Sequence, residues 1–287
     1  MTELPRISAG RRRKDKIMRG LLAAATGVAL VPLVLIIYYL VYKGIGQWSG
    51  QLFTTDPNGN FLGYPGGIRS AILGTIEIVA LATVIAVPLG IAVALYLVEY
   101  GKKSFYANVV RYFIDVMTGV PSIVFGLFIY IVLIVSHLGG NFTAWKGSVA
   151  LALLMLPIVA RSAEVVLNLV PGSLREAALA LGAPRWRVIT RVVLPTAASG
   201  LLTGSLLAIA RGAGETAPLI FTVGSANGLA FNLSQQMNTL PTQIFTDITS
   251  PRNAIVARAW GAALTLVALV LILNLIARAA QRRSRLA

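Results

Sequence analysis

The sequence predicts an all-α membrane protein with six transmembrane helices, and three observations carry that reading. Hydrophobic residues make up 56% of the 287-residue chain and charged residues only 12%, whereas about a quarter of the residues in soluble domains are charged. Mean hydropathy is +0.78. Six apolar segments reach the roughly 20 residues that a helix needs to cross a bilayer: 18–42, 68–98, 105–136, 147–169, 197–223 and 255–277. The expected organisation is a membrane domain over 18–277, a basic arm over 1–17 and a basic tail over 278–287.

The first segment begins too late and runs too long for a cleaved signal peptide, and no small-residue cleavage site closes it, so it reads as a retained anchor. Its basic leader reads as an irregular arm attracted to anionic lipid. The stretch 44–67, rich in Gly, Asn, Pro and aromatics, reads as a loop with a short interfacial helix. Glu77 in the second span has no partner nearby in sequence and either faces a polar cavity or bonds across helices. After it, Gly101-Lys102-Lys103-Ser104 imitates the end of a phosphate-binding loop, but the first Gly of that motif is replaced by Tyr96. Any ATP is therefore held by a partner.

In the third segment Arg111 and Asp115 are spaced to pair at i, i+4, and in the fourth, which contains Pro157, Arg161 and Glu164 are spaced to pair at i, i+3. Both read as structural. The chain has no cysteine, and His137 is its one histidine, so disulfides, thiolate metal sites and a metal cluster are not expected.

A formal net charge of +15 raises the question of nucleic acid. Position answers it: 17 of the 25 Lys and Arg fall on alternate polar segments, seven in the leader, two at 102–103, four in 175–191 and four after 277. The positive-inside rule then places both termini in the cytoplasm, with no nucleic-acid role.

The loop between the fourth and fifth segments, 171–196, is the most patterned polar stretch. Pro171 and Gly172 end one helix, and Ser173 with Glu176 forms a capping-box pattern for a short helix over 174–181. Gly182 stops it, and Pro184 opens a second short helix whose apolar side carries Trp186, Val188, Ile189, Val192 and Val193. Ala177, Ala178 and Ala180 keep the first helix low enough in profile to enter a partner's groove.

Within the fifth segment, Arg211 and Glu215 stand four residues apart in an otherwise uncharged run. A charge at mid-span costs roughly 2.5 to 3.5 kcal/mol on insertion scales, so it marks a substrate or ion pathway by default. Pro218 cannot donate to the carbonyl of Gly214, and Gly212 and Gly214 make a break cheaper, so the helix is expected to kink or unwind there. The ridge Gly200, Gly204, Ala208, Gly212 invites close packing by another helix.

Glu176-Ala177-Ala178, then Gly182, Ile189 and Leu194-Pro195, resembles the EAA loop of permease subunits of bacterial ATP-binding-cassette importers, with the MetI-like permease fold. Thr118-Gly119-Val120-Pro121-Ser122-Ile123-Val124-Phe125-Gly126, Ala210-Arg211-Gly212-Ala213-Gly214-Glu215-Thr216-Ala217-Pro218-Leu219 and Leu240-Pro241-Thr242-Gln243-Ile244-Phe245 resemble the phosphate-specific branch. The resemblance runs from about residue 68 to the end of the last span.

It implies an inner-membrane subunit that imports inorganic phosphate by alternating access and catalyses no reaction itself. The implied partners are a second related permease subunit, two ATPase copies holding ATP and Mg2+, and a periplasmic phosphate-binding protein. Glu176, Ala177, Ala178 and Gly182 would couple to the ATPase. Arg211, always protonated and fork-shaped, would contact phosphate, with Glu215 as counter-ion or gate. The competing readings are the same architecture for sulfate or molybdate, an ion-coupled secondary transporter or channel, a structural clamp for the Arg211–Glu215 pair, and a plain membrane anchor.

Overall fold

The computed structural model describes residues 9–58, 63–101, 104–136, 140–226 and 228–284. His137, Lys102 and Lys103 lie outside the described residues. Among those described, all regular structure is helical.

Helix α1 (Ala9–Gly44) begins inside the basic arm, so helix replaces the irregular leader expected over part of 1–17. Its apolar stretch is wholly unburied. It meets the rest of the chain at its end, where Gly44 lies 2.8 Å from Leu264 for any added Cβ and Tyr39 packs edge-on to Trp260. Helix α2 (Gly50–Thr54) is the short helix expected in the following loop, capped by Ser49, whose Oγ accepts from the Leu52 amide at 3.3 Å. Asp56 then accepts from the Ser70 amide at 3.1 Å and from Arg69 at 2.6 Å, which holds a carboxylate at the positive end of α3.

Helix α3 (Arg69–Leu95) runs on through a π-helical turn, Tyr96–Gly101. The third predicted segment is not one straight helix. It divides into α4 (Phe105–Gly119) and α5 (Ser122–Ile129, continued by a π-helical turn to Val135), bent by 103°. The reason is Pro121, which forces Val120 out of the helical region, to φ −71° and ψ 131°. Five single helices and this bent pair make up to six spans.

Helix α6 (Ala144–Asn168) is the centre of the bundle. Ile78, Ala82 and Ala86 of α3 share one buried cluster with its Leu151, Met155 and Val159. A Cβ on Gly90 would stand 2.8 Å from Val159. The ridge Gly200, Gly204 and Gly212 faces α6 of the same chain, against Val166, Ser162 and Met155 in turn. Its close packing is therefore intramolecular.

The patterned loop forms α7 (Gly172–Ala180) and α8 (Arg185–Val188). The Ser173–Glu176 capping box does not form. Pro171, at φ −58° and ψ 135°, is the N-cap and starts the helix early enough to enclose Ser173. Nor is α8 a separate element: a π-helical turn, Ile189–Val193, joins it to α9 (Leu194–Ala213), making one helix from 185 to 213. Beyond it come α10 (Ala217–Ile220), α11 (Leu240–Ile248) and α12 (Asn253–Ser284), the last reaching into the expected tail.

Candidate functional site

Helix α9 stops at Ala213, and the chain turns sharply: the Gly214 amide donates to Arg211 O at 3.1 Å and the Glu215 amide to Gly212 O at 3.2 Å. Glu215 and Thr216 are outside any helix, and α10 begins at Ala217 with Pro218 in its first turn. Pro218 there removes an amide that the first turn of a helix leaves unpaired anyway. The segment predicted over 197–223 is thus interrupted between Ala213 and Ala217.

The interruption lies halfway along the bundle. A Cβ on Gly212 would meet Met155 Sδ at 2.8 Å, near the middle of α6, and Gly147 near the start of α6 lies against Leu219 and Val223. Counted from Leu194, Arg211 is about 26 Å along α9, at 1.5 Å per residue. Helix α5, which follows the break at Pro121, packs closely on α10: Gly126 approaches the Pro218 backbone so closely that a Cβ would stand 2.6 Å from its Cα. The two motif stretches quoted above, 92 residues apart from Gly126 to Pro218, are neighbours in space.

Arg211 occupies the last turn of α9, where the helix carbonyls favour a cation. Its side chain is 55% exposed in the chain and that of Glu215 17%. The pair is 3.6 Å apart from Nε to Oε1, an ion-pair separation beyond ordinary hydrogen-bond length. The carboxylate balances the charge without occupying the guanidinium fork. Such a cation at a helix break offers a dehydrating oxyanion several N–H donors in place of water.

Four charges of the third and fourth spans form one cluster that follows the local spacing only in part. Glu164, buried, accepts from Arg111 at 2.6 Å and from Arg161 at 3.2 Å, and Arg161 also lies 3.7 Å from Asp115. The Arg161–Glu164 contact forms at i, i+3; the Arg111–Asp115 pair does not. Glu164 of α6 stands opposite Arg111 of α4, and that arginine reaches across the helix interface to it. Glu77 is half-buried.

On the loop, Glu176, Ala177 and Gly182 are exposed, whereas Ala178 is half-buried against the core. Gly182 has φ +79°, the left-handed conformation that favours glycine at a helix end. Leu181 is 89% exposed and Trp186 59%, an apolar surface on elements projecting past the bundle. Two further ion pairs carry no local signal in the sequence. Asp247 and Arg258 form a buried bidentate pair, 2.8 Å for each bond, with Arg258 also donating to Pro65 O. Arg175, counted above only as a positive charge, turns inward to Glu99 at 3.0 Å. Among the described residues, no group of three His, Cys, Asp or Glu side chains converges on a common point.

Residues 86–286 match the model of the family described as binding-protein-dependent transport system inner membrane component. The chain is 45% identical to the phosphate transport system permease protein PstA of Yersinia pestis over 94% of this chain and 90% of that one. It is 42% identical to the PstA of Mycobacterium leprae over 94% and 89%. Among solved structures, a bacterial alginate ABC transporter chain superposes with a TM-score of 0.68 at 16% identity, over 94% of this chain and 96% of that one. A chain of the MetNI methionine ABC transporter superposes with a TM-score of 0.62 at 20% identity, over 76% and 95%. By fold and by sequence, the chain belongs to the binding-protein-dependent transport system inner membrane component family, in the branch of the PstA permease proteins.

Proposed function

We propose that the chain is the membrane subunit of an ATP-driven importer that carries inorganic phosphate across the inner membrane of a bacterium by alternating access. The observation that carries the reading is the 45% identity, over 94% of the chain, to a phosphate permease; the placement of Arg211 supports it. Both termini are cytoplasmic in this reading, following the basic residues, and the leader rests against anionic lipid.

The chain itself catalyses no reaction. ATP and Mg2+ belong to an ATPase dimer that docks on α7 and the exposed loop around Gly182, through Glu176, Ala177 and Ala178. A second related permease subunit completes the pathway, and a periplasmic phosphate-binding protein delivers the substrate. Arg211 receives phosphate at the break between α9 and α10, giving N–H donors in exchange for water. Glu215 limits that grip: as the oxyanion leaves, the carboxylate recovers the guanidinium, so the site does not hold its substrate too strongly. Gly212, Gly214 and Pro218 keep the helix open for this exchange.

Uptake of labelled phosphate into proteoliposomes holding the whole complex tests the reading. Uptake is expected to require ATP and the ATPase subunits and to resist excess sulfate or molybdate. Competition by those anions would assign another oxyanion, and uptake without any ATPase would assign an ion-coupled transporter.

A further inference from the structure

The helix assigned to ATPase docking is weakly anchored by apolar contacts. Helix α7 has no fully buried residue, and only Arg175 and Ala178 are partly shielded. A cavity of about 520 Å³ opens beside it, lined by Glu99, Arg111, Arg175 and Glu176 among others. Something other than packing must carry force between α7 and the bundle.

Arg175 has the required geometry. Its Nε donates to Glu99 Oε1 at 3.0 Å, its Nη1 to Val170 O at 2.6 Å and its Nη2 to Leu167 O at 2.8 Å. Leu167 lies in the last turn of α6 and Val170 two residues beyond its end, where a helix leaves carbonyls short of partners within the helix; Leu167 O also accepts from the Val170 amide at 3.3 Å. Glu99 lies on the π-helical turn that closes α3. One planar guanidinium thus joins three elements, α7, the end of α6 and the end of α3, and both side chains are at least four-fifths shielded, at 20% and 13% exposure. The same turn is held a second time, since Arg111 Nη2 donates to Leu97 O at 3.1 Å while its Nε donates to Glu164. A displacement of α7 is therefore passed to α3 and, through Arg111, to the charged cluster on α6.

We infer that Glu99 and Arg175 form a strut that stays closed through the transport cycle and transmits ATPase motion from α7 to the second span. They are positioning residues. The inference rests on the proposed ATP-driven transport, and the readout separates the two: phosphate moved per ATP hydrolysed, by the reconstituted complex. A wild-type complex that hydrolyses ATP without moving phosphate would defeat the transport reading itself. With wild-type coupling intact, Glu99→Ala is expected to co-purify with the ATPase and hydrolyse ATP while the transport ratio falls about tenfold, the size of a charge-assisted bond of ~1.4 kcal/mol or more. Glu99→Gln, which keeps the shape and one acceptor, falls less.

The cysteine-free chain permits a second arm that does not depend on losing a bond. Glu99→Cys with Arg175→Cys, uncoupled when reduced, recovers its transport ratio when bridged by a short bifunctional thiosulfonate and loses it again on reduction. An unchanged ratio in Glu99→Ala, hydrolysis and uptake falling in proportion, or a bridge that leaves transport uncoupled would each overturn the inference.

Discussion

Replacing Asp247 by Ala strands the Arg258 guanidinium in a buried site, and the structure sets the size of the damage. The two side chains are 6% and 8% exposed, and two bonds of 2.8 Å join them. Gln243 adds a third contact to the carboxylate at 3.4 Å. Breaking a buried pair from one side costs about 3–5 kcal/mol, because the surviving charge keeps its desolvation penalty and loses its compensation. At roughly 2–3 °C per kcal/mol for a chain of this size, the midpoint for thermal unfolding of the purified protein should fall by about 6–15 °C. Removing both charges, as Asp247→Leu with Arg258→Met, should recover most of that loss, since the pair itself is worth little net. Hydrogen exchange should localise the single-variant effect to 240–248 and 65–67. A fall under about 2 °C for Asp247→Ala, or a double variant as unstable as the single one, would refute the reasoning.

Three further outcomes are expected. Gly204→Val drives a side chain into Ser162 on α6 and lowers stability by about 1–3 kcal/mol, measured as thermal midpoint, with partial rescue by Ser162→Gly. Gly182→Val must adopt φ +79° at a cost of about 1–2 kcal/mol with open space around it, so the ATPase should co-purify less while the thermal midpoint of the bundle holds. Glu164→Gln leaves Arg111 and Arg161 without their shared carboxylate, at 2.6 and 3.2 Å, and should lower the midpoint by the equivalent of at least about 1.5 kcal/mol.

What the sequence made legible divides along the range of the interactions. The apolar runs, the break before Pro218 and the short helix at 172–180 depend on composition and on proline or glycine within a turn, which local reading captures. Pro121 carried the same signal as Pro218, but the run around it is long and apolar, and it read as one span. The second loop helix read as separate because Gly182 and Pro184 punctuate its start, while nothing punctuates its end at Val188. Pairings across helices were out of reach. Arg111 and Asp115 have ideal spacing, yet Glu164, 53 residues away, takes the arginine; Arg175 and Glu99 are 76 residues apart. In a bundle, the partner of a charge is decided by which helices touch, and that is a property of packing. For Arg211 and Glu215 both levels agree on proximity, and the structure adds that the guanidinium is half-exposed and not hydrogen-bonded to its counter-ion.

The most direct test of the account is phosphate uptake by the reconstituted complex carrying Arg211→Ala and, separately, Arg211→Lys. Losing two or more charge-assisted bonds of about 1.5–3 kcal/mol each predicts that Arg211→Ala reduces uptake at least about a hundredfold while the complex still assembles and retains its thermal midpoint. Arg211→Lys, with a point charge in place of a fork, should recover part of it. Full phosphate uptake by a stable Arg211→Ala complex would contradict the claim that this residue at the broken helix receives the substrate.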